Sequence, residues 1–161
     1  MPLYVLMTNE LIFSQSTIFL ELILAALLGT FLGLEREYIG KIAGARTYAL
    51  VSMGAALFTI LSREEFKIYG NAFDPSRIPS QILVGIGFIG AGIIIHQGIQ
   101  VRGITTAAGL WVVASLGMAI GFGMYEVAVF VAVLAFIIMF FVGKLEVNSG
   151  LKEIEKRKQE K

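Results

Sequence analysis

Apolar residues run along this chain in blocks much longer than the stripes of a soluble domain, and polar residues gather between the blocks. A helix that crosses a membrane needs roughly 20 mainly apolar residues, with a range of about 17–25. Five blocks meet or approach that length, over residues 16–34, 47–61, 79–96, 104–120 and 124–143. The first holds LELILAALLGTFLGL. The second is the shortest and can extend back through Ala43 and Gly44. The fifth is nearly pure aliphatic and aromatic. The pattern predicts an all-α, polytopic membrane protein, with a five-helix transmembrane bundle over 1–143 and a charged tail over 144–161.

Composition supports a lipid environment. The 161 residues are 57% hydrophobic and 16% charged, where soluble domains average about 45–50% and about 25%. Too few polar side chains remain to cover a water-facing surface. The 18 glycines suit membrane helices, in which glycine is frequent. Cysteine is absent, which removes disulfides, thiol chemistry and thiolate metal sites. No Lys or Arg precedes Arg36, so a signal peptide with its basic start is not expected.

The basic residues orient the bundle. Ten of the 13 Lys and Arg residues fall on one side of a five-span arrangement: three between spans one and two, Arg102 between three and four, and six in the tail. Arg63, Lys67 and Arg77 fall on the other. The bias places the C-terminus in the cytoplasm and the N-terminus outside.

GIGFIGAG (85–92) contains GxGxxG, the pattern of a dinucleotide-binding loop. That reading needs a βαβ unit and an acid about 20 residues on. The stretch lies inside an apolar block, and no acid occurs between Asp74 and Glu126. Close helix packing is the better account, because small residues let backbones approach in lipid. Gly85 and Gly92 share one helical face, and Gly87 and Gly90 lie toward the other, which predicts a central helix between two neighbours. The alternative is a broken helix that offers backbone groups to an ion. Gly29 and Gly33 form GxxxG in the first block, a second packing surface.

Polar residues form three clusters. LEREYIGKIAGARTYALV (34–51) places Glu35, Arg36, Glu37, Lys41, Arg46 and Thr47 at the cytoplasmic surface, either as interfacial anchors or as a charged gate or docking site. DPSRIPSQ (74–81) lies outside. Asp74 is placed to cap a helix starting at Pro75, with Arg77 within ion-pair reach. In VRGITTAAGLW (101–111), Thr105 and Thr106 open the fourth helix, and Arg102 is expected to pair with Glu35 or Glu37, or to hold an anion beside the helix start. Trp111 reads as packing or an interface anchor. Glu21, the acid inside the first apolar run, reads either as a functional group at depth or, a turn or two from the outer end, as a wet one. His96 reads as a polar helix end. The tail reads as a solvated, charged helix, with basic residues able to touch anionic lipid.

One His, no Cys and no nucleophile–base pair exclude a recognisable catalytic constellation, so an enzyme is not expected. A metal such as magnesium would look to oxygen ligands. Glu21 and Asp74 are the candidates, with Glu126 a third outer acid, and their spacing specifies no site.

The three clusters together carry a resemblance. GLEREYIGKIAGARTYALVSMGAALF (33–58), DPSRIPSQILVGIGFIGAGIII (74–95) and VRGITTAAGLWVVASLGMAIGFGMYEVA (101–128) resemble the MgtC/SapB family of bacterial inner-membrane proteins, in order and at family spacing. The resemblance implies a five-span domain with a periplasmic N-terminus. It implies roles in growth or virulence under magnesium limitation and in membrane energetics through the proton-driven ATP synthase. It also implies characteristic positions at Glu35, Arg36, Glu37, Ala43, Gly44, Arg46, Thr47, Asp74, Arg77, Gly103, Thr105, Thr106 and Trp111. Ala45 and Tyr48 stand where many members carry Leu and His, and Gly109 where Thr is common. Several members continue into a cytoplasmic ferredoxin-like domain, so this chain is expected to be a short member or part of a longer one. The expected partners are the lipid bilayer, other membrane proteins and a second copy in a homodimer, with no nucleic acid and no cofactor beyond a link to Mg2+. Two functions follow: a non-enzymatic regulator that binds membrane proteins such as ATP synthase, or a transporter of magnesium or another small ion.

Overall fold

The computed structural model describes residues 3–69, 74–97 and 100–143. The charged tail and the side chains of Lys67 and His96 lie outside what it describes. Five helices carry nearly all the described chain: α1 (Leu3–Tyr38), α2 (Ala45–Tyr69), α3 (Arg77–Ile93), α4 (Ile104–Gly121) and α5 (Tyr125–Ile137), the last continued by a π-helical turn, Ile138–Val142. α1, α2, α4 and α5 with its extension are long and apolar enough to cross a membrane. α3 has 17 residues, about 26 Å at 1.5 Å per residue, just under the roughly 30 Å hydrocarbon layer. The protein is an all-α polytopic membrane protein.

Two connections end in the same device. Gly40 adopts φ 69°, its N–H bonds the Glu37 carbonyl at 3.0 Å, and Lys41 N–H bonds the Arg36 carbonyl at 2.9 Å. Gly123 adopts φ 79°, with Gly123 N–H on Ile120 at 2.8 Å and Met124 N–H on Ala119 at 2.8 Å. Both are Schellman caps, which satisfy the last helical carbonyls and need the left-handed conformation that glycine adopts freely.

Several boundaries differ from the sequence pattern, among them the end of α2, which runs on to Tyr69, past the apolar block that ends at Leu61. α1 begins at Leu3, well before the apolar block. α3 stops at Ile93, and a short antiparallel hairpin follows, β1 (Ile95–Gln97) and β2 (Gln100–Arg102), with Ile95 opposite Arg102. The β-branched residues here favour extended backbone, and Ile94 is already extended at φ −77°, ψ 113°. The returning strand passes so close to the end of α3 that a Cβ on Gly103 would strike the Ile93 carbonyl. Finally, α3 starts at Arg77 with Ser76 as its N-cap, not at Pro75.

α2 is enclosed between α1 and α4, and α4, the most buried of the spans, touches all four other helices. A Cβ on Gly29 of α1 would lie 2.5 Å from the Tyr48 carbonyl oxygen, and one on Gly33 would lie 2.6 Å from Ala45 Cα. On the opposite side, Gly109, Gly117 and Gly121 of α4 abut Tyr48, Ser52 and Thr59. The order of these contacts makes α1 antiparallel and α4 parallel to α2. The expectation that α3 sits centrally is therefore corrected. A Cβ on Gly85, Gly87 or Gly92 would meet no described atom within 4 Å, and on Gly90 only the Ala107 methyl at 3.5 Å. α3 instead docks at the edge through Ile86 and Ile82 against Ala55 and Ala114. α5 closes the other edge, where Phe136 stacks on Phe31 at 4.7 Å.

Candidate functional site

Buried polar groups in a membrane bundle are costly and mark function more often than surface charge does. Here they follow α2. At one end Glu21 of α1 is 2% exposed. Arg63 of α2 holds it through both guanidinium nitrogens, Nη1 to Oε1 and Nη2 to Oε2, each at 2.9 Å. Tyr125, the first residue of α5, donates its hydroxyl to Oε1 at 2.5 Å. Arg63 also reaches Glu64 at 3.3 Å. A carboxylate taken out of water needs this kind of bidentate partner to stay charged. Glu21 is thus dry rather than wet, and it ties three helices together. Both Glu21 oxygens are engaged by Arg63 and Tyr125, whereas Asp74 engages Oδ1 alone, with Ser76. Among the described residues no three of His, Cys, Asp and Glu converge on one point.

Sequence reasoning counted Arg63 only as an outer-side charge. An acid within an apolar run calls for a polar partner in the same half of the bundle, where Arg63 is one of three cations, but nothing in the sequence selects it.

At the other end Arg36 is buried and pairs with its neighbour Glu35, with Nη2 to Oε1 at 2.7 Å and a second bond from Nε to Oε2. This removes Glu35 as the expected partner of Arg102, which lies exposed in β2 and makes no ion pair with a described residue. Glu37 Oε2 accepts the Ala45 N–H at 3.0 Å and so caps α2 from eight residues away. Gly44 makes room for it, since a Cβ there would lie 2.8 Å from the same oxygen. Beside this cap lies a cleft of about 370 Å³ lined by Glu37, Lys41, Ile42, Gly44, Arg46 and Thr47.

Between the two ends, Tyr48, Ser52, Thr59 and Ser62 of α2 are fully buried. The Tyr48 hydroxyl donates to the Thr106 carbonyl at 3.2 Å, Thr59 to Ala55 at 2.8 Å and Ser62 to Pro75 at 2.9 Å. Ser52 Oγ has no partner among the described residues. These bonds go to backbone, and they fasten α2 to the start of α4 and to the turn before α3.

The remaining sequence-singled residues lie apart from this line. Asp74 Oδ1 takes the Ser76 N–H at 2.9 Å and its hydroxyl at 2.7 Å, which holds the Asp74 carboxyl below its ordinary value. It makes no ion pair with Arg77, which is exposed. Thr105 and Trp111 are exposed and Thr106 is buried. The N-cap of α4 is Gly103, without a side-chain cap bond.

Comparison with known proteins agrees with this architecture. The sequence model of the MgtC family matches residues 22–148. A protein of Escherichia coli K12 named "Putative magnesium transporter YhiD" is 44% identical over 74% of this chain and 58% of its own length. An uncharacterized protein of Synechocystis is 44% identical over 68% of this chain and 45% of its own. Protein MgtC of Salmonella typhimurium is 44% identical over 66% of this chain and 44% of its own. The chain therefore spans about half the length of these relatives. No solved structure matches it. The matched stretch begins at Leu22, one residue after Glu21, and takes in all of α2 to α5 with Arg36, Arg63 and Tyr125; the chain belongs to the MgtC family.

Proposed function

We propose that this protein is a non-enzymatic regulator in the bacterial inner membrane that acts by binding other membrane proteins, in adaptation to low magnesium or to a host. The observation that carries the reading is the contrast between its glycines. Those of α1 and α4 are consumed by contact with α2, whereas Gly85, Gly87 and Gly92 of α3 meet no described atom of their own chain. Phe88 on the same helix is 84% exposed and Val84 is 68% exposed. In lipid a glycine face gains from a second helix, not from acyl chains. The membrane sector of ATP synthase, expected from the family resemblance, and a second copy of the chain are the partners to look for.

The chain lacks cysteine, so Val84→Cys supplies a single crosslinking handle in native membranes. A protein adduct from position 84, lost in Val84→Cys/Gly85→Leu, is the expected result. Reaction with lipid alone would overturn the reading.

Transport of magnesium or another small ion is the second reading, favoured by the line of buried hydroxyls along α2 between the buried Arg36 and the half-buried Arg63. The name of the Escherichia coli relative points the same way. Magnesium flux into proteoliposomes that falls in Arg63→Gln would support it, and background flux in both would remove it.

A further inference from the structure

The cleft beside the start of α2 plays no part in either reading, and its chemistry is specific. Lys41 and Arg46 line it and make no ion pair with any described residue. The acid in its wall, Glu37, is turned to the Ala45 amide and caps the first turn of α2, so the lining carries two cations against one carboxylate and a net positive charge. The wall is built rather than loose. The Schellman cap at Gly40 fixes Lys41 through its N–H to Arg36, and Gly44 seats Glu37. A volume of about 370 Å³ lies within the range of small-molecule sites, about 300–1,000 Å³. Thr47 adds a hydroxyl.

The surroundings are apolar and open. Tyr38 is 91% exposed, Ile42 64% and Ile39 46%. Exposed Tyr and Ile interleaved with Lys and Arg are unfavourable against water but suit the boundary between acyl chains and head groups. By the distribution of Lys and Arg this end faces the cytoplasmic leaflet, which carries the anionic lipid.

We propose that this cleft binds the phosphodiester head group of an anionic phospholipid. Lys41 and Arg46 hold the phosphate, and Tyr38, Ile39 and Ile42 lie along the acyl chains. The inference needs only that the chain sits in a membrane, and it holds whether the bundle associates or transports.

The test uses the full chain, purified in detergent and stripped of lipid. Short-chain phosphatidylglycerol, short-chain phosphatidylcholine and inorganic phosphate are titrated in separate arms, with the unfolding temperature and native mass spectrometry as readouts. Phosphatidylglycerol is expected to bind and to raise the unfolding temperature, with phosphatidylcholine much weaker. Lys41→Gln/Arg46→Gln should weaken phosphatidylglycerol about thirtyfold, the combined worth of two basic residues at a membrane surface. Arg102→Gln, an exposed cation elsewhere, should not. Both side chains are exposed, so the lipid-free unfolding temperature should match the wild type. Equal binding of the two lipids, or unchanged binding in the double variant, overturns the proposal. Inorganic phosphate binding as tightly as phosphatidylglycerol also overturns it, since the site would then serve a soluble phosphate.

Discussion

The hydroxyl of Tyr48 occupies the volume that a side chain at position 109 would need: a Cβ on Gly109 would collide with it. Two of the three departures expected from the family resemblance, Tyr48 and Gly109, therefore share one space. A larger phenol in α2 is matched by removal of a side chain in α4, and the phenol then reaches the Thr106 carbonyl. Gly109→Ala should destabilise the protein by about 2 kcal/mol, within the range for overpacking. In a Tyr48→Phe background the same change should cost about 1 kcal/mol less, because the colliding atom is gone. Unfolding of the four proteins of this cycle in detergent measures the coupling. Additive effects would show that the two positions do not share a space.

Removing one partner of the ion pair at the other end should be severe. Glu21→Gln leaves the half-buried Arg63 with Glu64 alone as counter-charge, at a cost of about 2 kcal/mol. Glu21→Gln/Arg63→Gln should recover part of that loss, since two amides need no counter-charge. Arg63→Lys should fall between, as an ammonium cannot address both carboxylate oxygens. Thermal unfolding of these three variants and of Arg63→Gln would order them, and a double variant as unstable as the sum of Glu21→Gln and Arg63→Gln would contradict a direct pair.

Glycines should divide sharply by helix. Gly33→Leu and Gly117→Leu should abolish the folded bundle, because their Cβ positions are filled by α2 backbone. Gly87→Ala should leave an isolated chain as stable or stabilise it by about 0.5–1 kcal/mol, the ordinary gain over glycine in a helix interior. Circular dichroism and unfolding of the detergent-solubilised monomer give the comparison.

The acid response of the α3 start follows from Asp74. Its carboxyl is held below the ordinary 3.8 by the Ser76 hydroxyl and then the Ser76 amide. A folded value below the unfolded one means that the contribution is complete above about pH 4 and is lost as pH falls through the folded value. It adds no slope between pH 5 and 8. Ser76→Ala should move the Asp74 titration upward toward 3.8, readable by NMR, while the neutral-pH stability curve keeps its shape.

Much of this was readable before any coordinates. The five helices follow from the length of the apolar blocks, and Gly40 sits at a turn because no other residue adopts its φ so readily. The identity of the enclosed helix was not readable from glycine content. A helix gripped on two sides does not itself need to be small. Its neighbours do, and its own Tyr48, Ser52 and Thr59 fill the space they leave. Counting glycines therefore pointed to α3, whose small residues meet no described atom of their own chain. The Glu21–Arg63 pair was equally hidden, because 42 residues separate its members and only the packing of α1 on α2 brings them together. The hairpin escaped because IIIHQ reads as a continuation of an apolar helix, and only its pairing with residues 100–102 marks it as a strand.

The grip of α1 and α4 on α2 constrains how this molecule can change shape. Gly29 and Gly33 of α1 and Gly117 of α4 meet α2 backbone directly, and Tyr48 and Thr59 fill the space beside Gly109 and Gly121, so sliding either neighbour along α2 would drive atoms together. These three helices form the stiff part of the molecule. Motion belongs to the flanks, where α3 rests on Ile82 and Ile86 and α5 packs through Ala128 and Ala132, with Tyr125 and Phe136 reaching α1. A signal received at Tyr125 or at the rim of α3 would therefore be registered as the swing of an outrigger against a fixed hull.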